Sequence, residues 1–431
     1  MSAEKYNVLE PYALRVESQY PYETLRGQSH VTEEFPVIPD IPDDLMSASD
    51  EHEAFTPAER ERLYSSQDGD PMSGYPYNSA IRKGMLYEQR AAERLAVTGL
   101  QRLPDDVLTT LRTQKLLKGV TVRTSLEAIS GLVDGSAALL LKQETEQPIG
   151  AYKLRGAYNM MRKLTDEQRA RGVITASTGN HARAVAMSGE LLGVSVTVVM
   201  PYGTPEVKIL GAKELHANVV MHGENFDEAK AHCQELRAQS EGLTYVPPYD
   251  HEDIITGQGT IGAEILQQLE EGNIPYNQES TYVFVPVGGA GLIAGIARYV
   301  KQVRPHVQVI GVEPENCDAF ARSLEAGQRV TLDTVDPFAD GVAVRRVGEL
   351  SFRIARAYVD GVVRVGNREI SSAMVDLDAQ GMRTEPAGAL ALAGVRAFIE
   401  RTGKSGVFVA IRSGQNVDDT KMHRAVELAN S

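Results

Sequence analysis

From Ala137 to Ile411 the chain alternates between two patterns. Short, uninterrupted apolar runs ("AALLLK", "GVITAS", "VSVTVVM", "NVVMHG", "TYVFVPV", "VQVIGVE" and "GVFVAI") are separated by stretches such as "HARAVAMSGELLG" and "FDEAKAHCQELRAQ", whose apolar residues recur every three or four positions. Runs that are apolar at every position, each followed by a helix, predict strands buried on both faces. The fold class is therefore α/β, with parallel sheets covered by helices. Upstream, "NSAIRKGMLYEQRAAERLAV" and "LPDDVLTTLRTQKLL" carry the helical period and predict two helices between Asn78 and about Leu117. Residues 1–77 show no apolar period.

That first segment also carries much of the charge. Residues 1–60 hold thirteen Asp or Glu against Lys5, Arg15, Arg26 and Arg60, which is 4 minus 13, or −9, of a total of −14. With its interspersed prolines and tyrosines it reads as an extended or disordered acidic arm. The expected organisation is this arm (1–77), a helical lead-in (78–118) and one catalytic unit (119–431). An acidic chain lacks the basic footprint that nucleic acid requires. It has no run of about 18 apolar residues and no basic-then-apolar start, so a soluble cytoplasmic protein acting on small molecules is expected. Cys233 and Cys317 lie outside any metal-ligand spacing and read as core residues.

Open parallel sheets bind ligands beyond the carboxyl ends of their strands, and four strand-end segments carry candidate chemistry. "AYKLRGAYNMM" places Lys153 at the seam of a loop and a helix, where its amine projects into a crevice; a solvated surface lysine is the ordinary alternative. "ITASTGNHARAVA" places Ser177, Thr178, Gly179, Asn180 and His181 at a helix start, whose free N–H groups suit a carboxylate, although Ser177 or Thr178 could simply cap the helix. "VFVPVGGAGLIAGIA" offers Gly288, Gly289, Ala290 and Gly291 for close backbone approach to a phosphate. The fourth, "VFVAIRSGQN", ends its strand on Ser413. A competing reading takes Gly289 to Ala294 as G-x-G-x-x-A with Glu313, nineteen residues further on, as the ribose ligand of a dinucleotide site. It leaves Lys153 and the Ser177–His181 loop without a use.

These segments, together with "MPYGTPEVKI", "ITGQGTIGAEI", "IGVEPEN", "FADGVAVRRVGEL" and "EPAGA", resemble in their order the threonine dehydratase and serine racemase group of fold-type II pyridoxal-phosphate enzymes. The resemblance runs over roughly residues 104 to 420. It implies a two-lobed unit with a small lobe at about 153–260 inserted in the large lobe, preceded here by an N-terminal extension. It implies pyridoxal 5'-phosphate as cofactor, joined to Lys153 as a Schiff base, with Arg155 helping to depress the pKa of that lysine. It further implies the phosphate on Gly288, Gly289, Ala290 and Gly291, the ring hydroxyl near Asn180, the ring nitrogen facing Ser413, and the substrate carboxylate on the Ser177–His181 loop. The activity implied is β-elimination from L-threonine, L-serine or a related β-hydroxy amino acid, giving a 2-oxo acid and ammonia; racemisation or β-replacement is the alternative within the fold. Homo-oligomers are common in the group.

Several positions depart from the group's pattern. Thr178 stands where racemases of the group carry serine; Ala151 and Tyr152 replace Ser-Phe before the lysine. Thr124, Ser125 and Leu126 replace Thr-Pro-Leu. Glu313 matches one carboxylate of the group's cation site, but the second position is Ala319, so no metal is expected. Eighteen residues follow Ser413, and no C-terminal regulatory domain is expected.

Overall fold

The computed structural model describes residues 103–133, 137–204, 206–240, 242–272 and 280–431. The acidic arm and the first of the two lead-in helices lie outside these residues. The second is α1 (Asp105–Leu116). Thereafter come β1 (Leu126–Ile129), β2 (Ala137–Lys142), α2 (Lys153–Met161), α3 (Asp166–Arg171), β3 (Val173–Ala176), α4 (Asn180–Leu192), β4 (Val196–Met200), α5 (Glu206–Lys213), β5 (Asn218–Met221), α6 (Phe226–Gln239) and β6 (Thr244–Tyr245). The chain continues with α7 (Glu252–Glu271), β7 (Thr281–Pro286), α8 (Gly291–Val303), β8 (Gln308–Pro314), α9 (Ala319–Glu325), α10 (Glu349–Tyr358), β9 (Gly361–Val365), α11 (Asn367–Ala379), α12 (Pro386–Thr402), β10 (Gly406–Ile411) and α13 (Asp419–Ala429).

Two sheets result. The larger has the order β1-β2-β10-β7-β8-β9, parallel throughout except for β1, which pairs antiparallel with β2. Its central strand β10 aligns Val409 with Leu140 on one side and Val283 on the other. Phe284, Phe398 and Phe408 pack among Val312, Met374 and Leu390, so α11, α12 and α13 bury one face of the sheet. The smaller sheet, β5-β4-β3-β6, is parallel throughout and forms its own core with α2 and α4 around Leu154, Val173, Val185 and Val198. The fold is thus two-lobed α/β.

All seven continuous apolar runs are strands. The three strands missing from the sequence reading each lacked the signal it used. β1 is an edge strand of four half-exposed or exposed residues, and β6 has two residues. The edge strand β9 reads "GVVRV", its apolar run broken by Arg364, which pairs with Asp318 at 3.0 Å and Glu325 at 2.6 Å.

Helix α7 joins the two sheets' helices through backbone contact. A Cβ added at Gly257 would lie 2.6 Å from the carbonyl oxygen of Arg155 in α2, and one at Gly295 of α8 would lie 2.2 Å from that of Ile255 in α7. Only glycine admits both approaches. Beside this contact sits a buried ionic cluster. Arg155 donates to both oxygens of Glu264 (2.6 and 2.9 Å) and of Glu144 (2.8 and 2.8 Å), and Lys142 donates to Glu264 (2.6 Å) and to the carbonyl of Thr124 (2.8 Å). Burial opposes the charge on Glu264, but Arg155 and Lys142 overcome it and hold that carboxyl below the usual range. The expectation that Arg155 depresses the Lys153 pKa is corrected here: its guanidinium is consumed by two carboxylates.

Two cations balanced by two anions leave no spare partner in the cluster, and removing one member of a buried pair costs about 3–5 kcal/mol. Glu264→Gln should therefore lower the free energy of urea unfolding by about that much. A loss under about 1 kcal/mol, the range of solvent-exposed pairs, would show that water reaches the cluster.

Candidate active site

A cavity of about 1630 Å³ opens where β3, β7 and β10 end and where α2, α4 and α8 begin. It is lined by all of the candidate residues: Lys153, the Ser177–His181 loop, Gly288 to Gly291, and Ser413. Parallel strands end on the same side of a sheet, which is why segments so distant in sequence share one space. Two of the segments are also stitched together, since Ala151 bridges Gly414 and the Tyr152 N–H donates to the Ser413 carbonyl at 3.2 Å.

Lys153 is the first residue of α2, and its Nζ donates to the carbonyl of Pro248 at 2.8 Å. Burial pushes its pKa down from 10.5 to about 8, against an opposing pull from the Glu385 carboxylate. An amine held by a neutral carbonyl in a dry setting is the arrangement that yields a nucleophile near neutral pH.

The glycine loop leads into α8, and its N-cap, Ala290, adopts the left-handed conformation (φ 68°). Among the described residues the N–H groups of Gly288, Gly289, Ala290 and Gly291 meet no acceptor. A Cβ at Gly289 would meet the Tyr249 ring at 2.3 Å, and one at Gly291 the Tyr249 carbonyl oxygen at 2.6 Å. Four free donors at a helix start, on a loop that admits no side chains at two positions, suit a phosphate. The residues fit a phosphorylated aldehyde: donors for its anion and a weakly basic amine share one cavity.

The start of α4 offers a second anion site. Its N-cap is Gly179, with no side-chain cap; neither Ser177 nor Thr178 takes that role, and Ser177 Oγ instead accepts from the Gly179 N–H at 3.3 Å. Among the described residues the N–H groups of Thr178, Asn180 and His181 meet no acceptor. His181 Nε2 donates to the Val246 carbonyl at 3.0 Å; burial, helped by the charge of Lys153, pushes its pKa down to about 3, so the ring is neutral.

Ser413 is buried and donates through Oγ to the Ala387 carbonyl at 3.2 Å. Three further residues of the site escaped the sequence reading. Glu385 accepts from Asn180 Nδ2 at 2.7 Å, and its pKa is pushed up to about 7 by burial and by Asp340. In sequence, Glu-Pro before a helical run signals only a helix start, the position Glu385 does hold as N-cap of α12. Asn416 donates to Asn180 Oδ1 at 2.7 Å and accepts from Arg183 Nη1 at 2.6 Å. The dinucleotide reading fails at Glu313, which is fully buried and accepts from the N–H groups of Phe320 and Ala321 at 2.9 and 2.8 Å, out of reach of a ribose. Among the described residues no group of three or more His, Cys, Asp or Glu is placed to hold a metal, and no helix is long and apolar enough to cross a membrane.

Comparison with known proteins gives consistent results. The biosynthetic, chloroplastic threonine dehydratase of Arabidopsis thaliana is 50% identical over 294 residues, covering 68% of this chain and 48% of that protein. The biosynthetic L-threonine dehydratase of Escherichia coli is 45% identical over 358 residues, covering 81% of this chain and 62% of that protein. The chain spans about half the length of the plant relatives it matches. Among solved structures, the processed form of threonine deaminase isoform 2 from Solanum lycopersicum superimposes with a TM-score of 0.71 at 42% identity, over 76% of this chain and 94% of that one. Maize serine racemase superimposes with a TM-score of 0.68 at 29% identity, over 75% and 97%. The pyridoxal-phosphate dependent enzyme family matches residues 117–414, the stretch that holds both sheets, Lys153, the Ser177–His181 loop, Gly288 to Gly291 and Ser413, and the chain belongs to that family.

Proposed function

We propose that the chain is an ammonia-lyase that dehydrates and deaminates L-threonine, L-serine or a related β-hydroxy amino acid to a 2-oxo acid and ammonia. The observation that carries the reading is the presence, in one cavity, of the Lys153 amine, the four free N–H groups of residues 288–291 and the uncapped start of α4. When bound, pyridoxal phosphate supplies an aldehyde that condenses with amines and a ring that draws electrons from the carbon bearing the substrate nitrogen.

The protein's own groups divide the remaining work. Gly288 to Gly291 would hold the phosphate, and Lys153 would hold the aldehyde and serve as the base for the proton on the substrate α carbon. Free N–H groups of the Ser177–His181 loop hold the substrate carboxylate, and the neutral His181 adds no charge there. Asn180, its amide fixed by Glu385 and Asn416, would face the ring hydroxyl. Ser413 would face the ring nitrogen as an uncharged partner and so supply no anion there, which would favour prompt loss of a β hydroxyl. The β hydroxyl leaves as water with one added proton, and the released unsaturated amine takes up water to give oxo acid and ammonia. Homo-oligomeric assembly in the cytoplasm is part of the same reading; both cysteines are free and buried, as in a reducing compartment.

Three outcomes are expected. The protein loaded with pyridoxal phosphate should release ammonia from L-threonine or L-serine, and Lys153→Ala should lower that rate about 10²–10⁴-fold; wild-type ammonia release by the variant, or none by the parent from any hydroxy amino acid, would overturn the reading. Gly291→Ala forces the loop away from the Tyr249 carbonyl and should weaken retention of pyridoxal phosphate by at least ~10-fold in equilibrium dialysis run below the lowered thermal melt of the variant. Capture of pyridoxal phosphate by the unloaded protein needs the neutral amine. Its rate should therefore climb about tenfold per pH unit and level off near pH 8, where a lysine left at 10.5 would still be only ~0.3% neutral.

A further inference from the structure

The cavity is rich in cations, and most of them are matched. Lys208 pairs with Asp340 at 2.8 Å, Arg329 with Glu349 at 2.8 Å, Arg345 with Asp227 at 3.4 Å and Arg383 with Asp419 at 2.5 Å. Lys230, Arg237 and Arg346 are exposed at the rim, where water solvates them. Arg183 differs from both groups. It is half-buried, forms no ion pair, and uses one of its five N–H donors, from Nη1 to the neutral Asn416 amide at 2.6 Å. Its Nε is shielded from solvent and has no partner, and Nη2 makes no hydrogen bond. Nε, closed to solvent, is equally closed to a ligand, so the donors Arg183 has for an anion are the N–H groups left on Nη1 and Nη2, whose planar pair matches a carboxylate.

Its position says which carboxylate. Arg183 lies three residues beyond Asn180 on α4, and Asn416 bonds to both side chains, donating to Asn180 at 2.7 Å while accepting from Arg183. The guanidinium therefore stands one helical turn from the loop proposed to hold the α-carboxylate, on the same wall of the cavity. We propose that Arg183 forms a second carboxylate subsite, and that the chain prefers a β-hydroxy amino acid bearing a carboxylate on its β carbon, such as 3-hydroxyaspartate, over threonine or serine. This inference rests on the lyase reading for turnover, but the subsite itself needs only binding.

The test uses the loaded enzyme, its Arg183→Gln variant and its Arg183→Lys variant, which keeps the charge but not the fork. In ammonia-release assays kcat/KM should favour 3-hydroxyaspartate over L-serine, and Arg183→Gln should cut that ratio by about 10–100-fold, mainly through KM, with Arg183→Lys between. Calorimetry should give tighter binding for L-aspartate than for L-alanine, with the margin lost in Arg183→Gln. A ratio unchanged by the substitution, or an equal fall for both substrates, would overturn the second subsite while leaving the lyase in place. Absence of ammonia from every substrate with the L-aspartate margin intact would sink the lyase reading and keep the subsite; equal affinity for L-aspartate and L-alanine would remove it.

Discussion

The approach of three helix backbones at α7 is the constraint on which the site depends. α2, whose first residue is Lys153, lies on α7 at Gly257; α8, whose start follows the glycine loop, lies on α7 at Gly295. α7 is thus a spacer of nearly fixed thickness between an amine and a set of N–H donors. A methyl group at either glycine would drive a backbone atom from its place, because the atoms met are carbonyl oxygens rather than the ends of flexible side chains. The buried ionic cluster reinforces the same contact. Glu264 on α7 is held by Arg155 of α2 and by Lys142 at the end of β2, so one carboxylate ties the lysine-bearing helix to the larger sheet.

Electrostatics follow from that geometry. Lys153 faces the Pro248 carbonyl, and the cationic residue two positions away has its charge neutralised elsewhere. Desolvation alone is then large enough to bring the amine to about 8 although Glu385 pulls the other way. Glu385 feels the converse: burial raises it to about 7, and its hydrogen bond from Asn180 opposes the rise. The influence runs one way: Glu385 acts on the amine, whereas the charges acting on Glu385 are those of Asp340, Lys208 and Lys421.

How much of this could be read from the residues depends on the kind of signal. Strands such as "TYVFVPV" and "GVFVAI" are apolar at every position because helices cover both faces, and that pattern survives without coordinates. β9 does not announce itself, since an edge strand tolerates Arg364 on its open side. The four segments are legible because each lies where a strand of a parallel sheet ends or the helix after it begins, the positions at which such sheets bind ligands. Glu385, Asn416 and Arg183 carry no such mark. Their importance comes from hydrogen bonds between residues 205 and 236 positions apart for Asn180, and 233 positions apart for Arg183, and no local pattern encodes a contact of that range.

The same distinction explains why sequence suggests a role for Arg155 that the structure corrects and is silent on Arg183. Each arginine lies two or three residues from a candidate functional group, Lys153 or Asn180, and proximity along the chain suggested a role for the first and none for the second. On a helix, residues two apart point to opposite sides, whereas residues three apart share a face. Arg155 accordingly turns from the cavity into the carboxylates behind it, while Arg183 stays on the cavity wall with Asn180. What decides the role of each charge is then its supply of partners. Arg155 has two carboxylates and is saturated, a structural element; Arg183 has one neutral amide and donors to spare, and a charge left in that condition beside a ligand cavity is available to an anion that enters it.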